Sequence, residues 1–319
     1  MRIAVLALDG LFDSGLASVL DVLGCANDLR ERIPGAPPPW EVETVGFRDQ
    51  VRTGAGLLVP ARPVEAADRC DLLLVPAVPK RDPQGLADLV GGEEMRGARE
   101  LLAHTRQRGA TVASACAGTF LLAEAGVLDG RRATTTWWLA PLFRQRYPRV
   151  ELDQSRMVTS SDGVITAGAA FGHVDLALWL VRRSSPGLSE LVSRHLVVDE
   201  RPSQASYTMV STLAQSDPVV AAFDRWVRER LHEQLDIGAA ARAIGVSERT
   251  LQRATAGALG VTPVRFVQDL RVEQASHLLR TTELGVEVIA RRVGYLNANT
   301  LRVLLRERSG LTAGQLRRG

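Results

Sequence analysis

Cys116 stands in the run VASACAGTFLLAEAG, residues 112–126, where an apolar stretch gives way to a helical one. A thiol at such a seam can be a nucleophile, the floor of a ligand pocket, or a small buried residue. A strand-to-helix turn aims its side chain into the crevice at the strand ends, and the helix N-terminus favours a thiolate or a bound anion there. Small neighbours, here Ala115, Ala117 and Gly118, suit a tight elbow of this kind. Nucleophilic catalysis also needs a base, which in cysteine enzymes is a histidine. His173, ahead of a closing helix, could border the same crevice as base, ligand contact or helix-end hydrogen-bond partner. His104, His195, His232 and His277 are scattered, without the HxxxH or HExxH spacing of a metal site. No metal and no cofactor are expected, and no Gly-rich phosphate loop is present. Trp137 and Trp138 are adjacent aromatics that suit packing or a wall against a cationic ligand.

A second chemistry lies at the other end. From Pro218 onward there are sixteen Arg, no Lys and ten Asp plus Glu, a net +6 that leaves −3 on the rest. A basic tail on a mildly acidic body points to a polyanionic partner, with a solvated charged surface as the plain alternative. The tail is internally repeated. Ile237, Ala240, Ala241, Ile244 and Gly245 recur 49 positions later as Val286, Ile289, Ala290, Val293 and Gly294. After the turn glycine the offset becomes 50: Leu251 matches Leu301, Gly260 matches Gly310, and Thr262 matches Thr312. The apolar members share one helix face, so two copies of a helix–turn–helix unit are expected, the second turn longer by one residue. Such a unit needs a small residue in its first helix, a turn residue tolerant of positive φ and an apolar anchor on the second helix. Ala241, Gly245 and Leu251 supply these, as do Ala290, Gly294 and Leu301, and Ser247 is a suitable N-cap.

These residues must be positioned by two kinds of scaffold. RIAVLAL, EVETVGF, DLLLVPA and ATVASA read as buried parallel strands, alternating with helical stretches such as GLASVLDVLGCANDL and EMRGARELLAHTRQRG. GVITAGAAFGHVDLALWLVRR supplies a last strand and a closing helix. This predicts an α/β fold, a flavodoxin-like parallel-sheet sandwich with an elbow cysteine, followed by an all-α double helix–turn–helix domain. Expected boundaries are 1–198 for the first domain, 199–217 for a polar linker and 218–319 for the second. A chain of 319 residues suits two domains, and 45% hydrophobic with 24% charged residues suits a globular protein. No apolar run approaches the roughly 20 residues of a membrane helix. The initial apolar stretch is broken at Asp9, so a cytoplasmic first strand is expected rather than a secretory signal. Three cysteines without CxxC spacing fit a reducing compartment.

Residues 220–319, through IGAAARAIGVSERTLQRATAGALGVTPVRFVQDLRVEQASHLL and VEVIARRVGYLNANTLRVLLRERSGLTAGQLRR, resemble the AraC family of transcription regulators. That resemblance implies a helix from about Pro263 to Arg280 joining the two units. It also implies DNA contacts from Ser247, Arg249, Gln252, Arg253, Asn297, Asn299, Thr300 and Arg302. The chain departs from the family at Leu301 and Leu305, where aromatic anchors are usual, and at Ala313, where Pro is usual. Residues 1–185, through LDGLFDSGLASVLDVL, SACAGTFLLAEAGVLDGRRATTTWW and VITAGAAFGHVDLALWLV, resemble the PfpI-like branch of the class I glutamine-amidotransferase-like superfamily. The resemblance places Cys116 at the family's elbow and Asp13 at an acid that often hydrogen-bonds the cysteine. Where relatives carry a histidine this chain has Ala117 or Thr136, and the usual oxyanion-loop glycine falls within Pro76-Ala77-Val78-Pro79.

The two resemblances in this order are those of GlxA-type regulators. They imply a cytoplasmic, non-catalytic regulator that binds double-stranded DNA and forms a homodimer through its first domain, with no membrane partner. A small-molecule effector would sit among Asp13, Val78, Cys116, Ala117, Thr136, Trp137 and His173. The alternative is a cysteine-dependent hydratase, hydrolase or deglycase, with Cys116 as nucleophile, Asp13 as its acid partner and His173 as base.

Overall fold

A computed structural model describes residues 1–79, 82–204, 207, 210–214, 217–309 and 311–318. Gly310 and residues 205–206, 208–209 and 215–216 of the expected linker lie outside the described residues. The chain divides into two compact units, Met1–Gln204 and Ala205–Gly319.

Along the first unit run β1 (Arg2–Leu6), α1 (Asp13–Leu29), β2 (Glu41–Gly46), β3 (Gln50–Arg52), β4 (Leu58–Pro60), β5 (Arg62–Pro63) and β6 (Leu72–Val75). There follow α2 (Pro83–Gly91), α3 (Arg96–Gln107), β7 (Thr111–Ala115), α4 (Gly118–Glu124), β8 (Arg132–Ala133) and α5 (Ala140–Arg146). The unit closes with β9 (Glu151–Leu152), β10 (Val158–Ser161), β11 (Val164–Ala167), α6 (Gly172–Ser184) and α7 (Pro186–Leu196). The main sheet has the order β10-β11-β7-β6-β1-β2-β5, parallel throughout except for β10 against β11. Its central run β2-β1-β6-β7-β11 is the flavodoxin-like order, whose ligand crevice opens at the carboxyl ends of the strands.

Both faces of the sheet are covered, which is why β1, β6, β7 and β11 are almost unbroken apolar runs. On one face Ile3, Val5, Ala113 and Ile165 pack against Leu16, Leu23, Leu176 and Leu188 of α1, α6 and α7. On the other, Leu6, Leu73, Val75 and Val112 meet Leu86, Leu102, Phe120 and Phe143 of α2 to α5. The small pairs β3–β4 and β8–β9 were not expected from the sequence. Thr134–Thr136 continue beyond β8 without strand structure.

The first part of the expected linker is folded onto the first unit. Arg201 pairs with buried Asp175, and its backbone N–H donates to the same carboxylate at 2.9 Å. Gln204 is fully buried, its amide nitrogen donating to the Thr135 carbonyl at 2.7 Å. Further on, Val210–Ala214 forms α8.

The second unit is helical: after α8 come α9 (Pro218–Glu229), α10 (Ile237–Ala243), α11 (Glu248–Leu259), α12 (Pro263–Thr281), α13 (Val286–Arg292), α14 (Ala298–Ser309) and α15 (Ala313–Arg318). Helices α10–α11 and α13–α14 are the two repeated units. Ala241 and Ala290 are buried where the second helix of each unit crosses, and Leu251 and Leu301 anchor it. Gly245 and Gly294 take φ of 75° and 83°, the left-handed turn that glycine adopts at little cost. Ser247 caps α11, accepting the Thr250 N–H at 3.1 Å. Two residues separate Gly294 from Asn297, where one separates Gly245 from Ser247, so the extra residue sits in the second turn. Leu305 is fully buried, so an aliphatic anchor replaces an aromatic one without opening the core.

Candidate effector pocket and nucleic-acid interface

Cys116 occupies the turn between β7 and α4. Its φ is 56°, in the left-handed region that side chains rarely adopt, and 6% of its surface is exposed. A non-glycine residue held there costs on the order of 1–3 kcal/mol, so the surrounding bonds must impose it. They are identifiable: the Cys116 N–H donates to Ala167 of β11 at 2.9 Å, and its carbonyl accepts the Thr135 hydroxyl at 2.8 Å. Gly118 completes the elbow. A Cβ there would lie 2.6 Å from the Pro76 carbonyl, so any larger residue would push α4 off β6.

The other expected pocket residues divide into two groups. Asp13 and Val78 line a hollow of about 430 Å³, together with Gly10, Phe12, Gly54, Ala55 and Pro79. The Asp13 carboxylate is fastened from the β3–β4 hairpin: the Thr53 hydroxyl donates to one oxygen, and the Ala55 N–H to the other at 2.9 Å. The Thr53 hydroxyl, with help from Ala55, holds that carboxyl below its usual range against the opposing effect of burial. Cys116 and Ala117 do not line that hollow; they are buried in the same apolar cluster as Val78, with Phe12 packed against it. Trp137 is half-buried and stacks edge-on against Trp138 at 5.5 Å. Thr136 is fully buried, and its hydroxyl has no hydrogen-bond partner among the described residues. The contribution of Gly54 and Ala55 was missed from the sequence. Its only signal is the short TGAG cluster at residues 53–56.

His173 has both ring nitrogens engaged by backbone groups. It is completely buried, with Nε2 accepting the Ala77 N–H at 3.1 Å and Nδ1 facing the Ala170 carbonyl at 2.7 Å. Those partners assign the proton to Nδ1. Both nitrogens thus serve the backbone, and Ala77, in the loop where an oxyanion donor was sought, directs its N–H to the ring. Helix α1 closes over it at Gly15, where a Cβ would lie 2.9 Å from the imidazole. Burial pushes the His173 pKa down from 6.5 to about 4, the Ala170 bond opposing weakly. The native ring stays neutral while the unfolded chain takes up a proton near its ordinary pKa. This contribution to stability is therefore complete above the unfolded value and falls as the pH drops toward 4, by about 3 kcal/mol. His173→Gln is expected to flatten that part of the profile, measurable as urea midpoints between pH 7 and 4.5.

In the second unit Arg249, Gln252 and Arg253 project from α11 and are all exposed. Neither arginine has an ion-pair partner among the described residues. The second head differs. Asn297, Asn299, Thr300 and Arg302 are exposed, but Arg302 bonds Glu287 at 2.5 Å and the Asn299 side chain at 2.9 Å. The Asn297 side chain accepts the Asn299 N–H at 2.7 Å, at the start of α14. Helix α12 has 19 residues, about 28 Å, close to the roughly 34 Å spacing of successive major grooves. Among the described residues no helix is long and apolar enough to cross a membrane, and no group of three His, Cys, Asp or Glu could hold a metal.

Comparison with known proteins defines both halves. Residues 79–183 match the DJ-1/PfpI family and residues 240–319 a helix-turn-helix domain. It is 29% identical over 193 residues to the HTH-type transcriptional regulator CdhR of Pseudomonas aeruginosa, covering 59% of this chain and 57% of that regulator. This chain thus spans less than two thirds of that relative's length. It is 26% identical over 237 residues to the HTH-type transcriptional regulator GlxA of Rhizobium meliloti, covering 72% and 73%. A crystal structure of an AraC family transcriptional regulator from Pseudomonas putida shares the fold, with a TM-score of 0.50 and 23% identity over 61% of this chain and 98% of that one.

Proposed function

We propose that the protein is a sequence-specific DNA-binding transcription regulator whose first domain senses a small molecule without catalysing a reaction. The observation that carries this reading is the duplicated helix–turn–helix with Arg249, Gln252 and Arg253 exposed on the first reading helix. Arg is suited to guanine edges and Gln to adenine, and the other exposed Arg to phosphates. The effector site is the hollow beside Asp13 and Val78, and Val78 shares an apolar cluster with Cys116. The non-catalytic reading rests on His173, whose two nitrogens are taken by Ala77 and Ala170, and on Ala117 and Thr136 in place of histidines. A cytoplasmic homodimer formed through the first domain completes the reading.

Fluorescence anisotropy of the full chain with a duplex from its own upstream region is the direct test. Affinity should fall steeply with salt, by about 10³-fold or more between 50 and 200 mM if six or more phosphates are contacted. Cys116→Ser should leave that affinity within twofold and remove no turnover. A turnover lost in Cys116→Ser would support the enzymatic alternative, and no binding at low salt would overturn the regulator reading. Because a ligand for the native state raises its melting point, thermal shift against small metabolites identifies the effector.

A further inference from the structure

The two reading heads are built on one template but present opposite chemistry. Beyond the turn the repeat register of 50 residues aligns Arg249 with Asn299, Thr250 with Thr300, and Arg253 with Val303. The outer position that carries a guanidinium in the first head is therefore an apolar side chain in the second. Val303 is 56% exposed, one helical turn beyond Asn299 and Thr300. The residue added to the second turn contributes another apolar group: Leu296, at 89% exposure, stands just ahead of Asn297 at the start of α14. The one cation of the expected contact set on this head, Arg302, is turned toward Glu287 and Asn299.

Major-groove edges offer one prominent apolar group, the C5 methyl of thymine. Resting on the DNA-binding reading above, we propose that the second head recognises thymine methyl groups through Leu296 and Val303, while the first head reads by guanidinium and amide. Two exposed aliphatic side chains flanking Asn299 and Thr300 make a surface that gains by covering a methyl. Arg302, the one cation expected to contact DNA from this head, is paired with Glu287 rather than free for a guanine. The division also accounts for the longer second turn, which brings Leu296 forward of the helix start where the first head has only Val246 before its cap.

The test uses a duplex selected by the full-length protein from a randomised pool. Each thymine is replaced in turn by deoxyuridine, which lacks only the methyl. At one or more positions wild-type affinity should fall about fourfold, the worth of one buried methyl. The Leu296→Ala, Val303→Ala double variant should bind the thymine and uracil duplexes alike; both side chains are exposed, so its melting temperature should be unchanged. Insensitivity of the wild type to every uracil, or persistence of the effect in the double variant, overturns the inference while leaving DNA binding intact. Failure of the pool to yield any enriched sequence overturns the DNA-binding reading itself.

Discussion

Replacing Arg249 and Arg253 together by alanine is expected to weaken binding to the preferred duplex by at least about 30-fold, with the fold unchanged. Each bidentate arginine–guanine contact discriminates by roughly 1–3 kcal/mol, so two give roughly 2–6 kcal/mol, or about 30- to 10⁴-fold. Both side chains are exposed and without an ion-pair partner among the described residues, so their removal should shift stability by less than about 0.5 kcal/mol. The pattern of loss separates two roles. If the arginines read bases, the loss is concentrated on the preferred sequence, and affinity for unrelated duplexes changes little. If they contact phosphates, all duplexes lose affinity together and the slope of log affinity against log salt falls by about 0.9 per residue. Anisotropy titrations at three salt concentrations, with preferred and scrambled duplexes, distinguish these. An unchanged affinity in the double variant would remove the first head from the interface.

The parts of the structure legible in the sequence are those governed by strong local rules. Buried parallel strands must be apolar on both faces, so β1, β6, β7 and β11 announce themselves as short continuous runs. The duplicated helical unit was legible because Ala241, Gly245 and Leu251 each have one permitted chemistry and recur in register. The one-residue shift of offset, from 49 to 50, by itself locates the longer second turn. What was not legible depends on distant partners. The β3–β4 hairpin has strands of only three residues and carries no periodicity, yet it supplies the hydroxyl and N–H that fasten Asp13. His173 reads from the sequence as base, ligand contact or helix-end partner, and no local pattern reveals the Ala77, Ala170 and Gly15 backbone that surrounds its ring. Polar composition marked 199–217 as a linker, but polarity cannot reveal that Arg201 has a buried Asp175 to meet, or that Gln204 fits against Gly168, where a Cβ would lie 2.2 Å from its amide. Arg302 looked equivalent to the arginines of the first head until Glu287, fifteen positions away, was found beside it.

Arg271→Met should have the largest effect on how the two heads act together. Arg271 lies on α12 and is buried; its guanidinium donates to the Glu233 carbonyl at 2.6 Å and lies 5.0 Å from the centre of the Tyr295 ring. Glu233 leads into the first head and Tyr295 is in the turn of the second, so one side chain ties both to the connecting helix. The Gln234 amide adds a bond to the Gly294 carbonyl at 3.0 Å. The approach is so close that a Cβ on Gly294 would sit 2.4 Å from the Leu231 carbonyl. Removing the guanidinium leaves the Glu233 carbonyl without that donor, roughly 1–3 kcal/mol, and forfeits a cation–π contact of roughly 0.5–2 kcal/mol. The second unit should melt at a lower temperature, but the more telling effect concerns spacing. Each head keeps its own anchors, Leu251 and Leu301, so a duplex with one preferred box should bind nearly as before. A duplex with both boxes gains from a fixed separation, because the second contact is then made without further ordering. That advantage should shrink tenfold or more in Arg271→Met, and in the same direction in Gly294→Ala, where the added methyl meets backbone at φ 83°. Equal losses on one-box and two-box duplexes would show instead that Arg271 only stabilises the fold, and that α12 alone sets the distance between the heads.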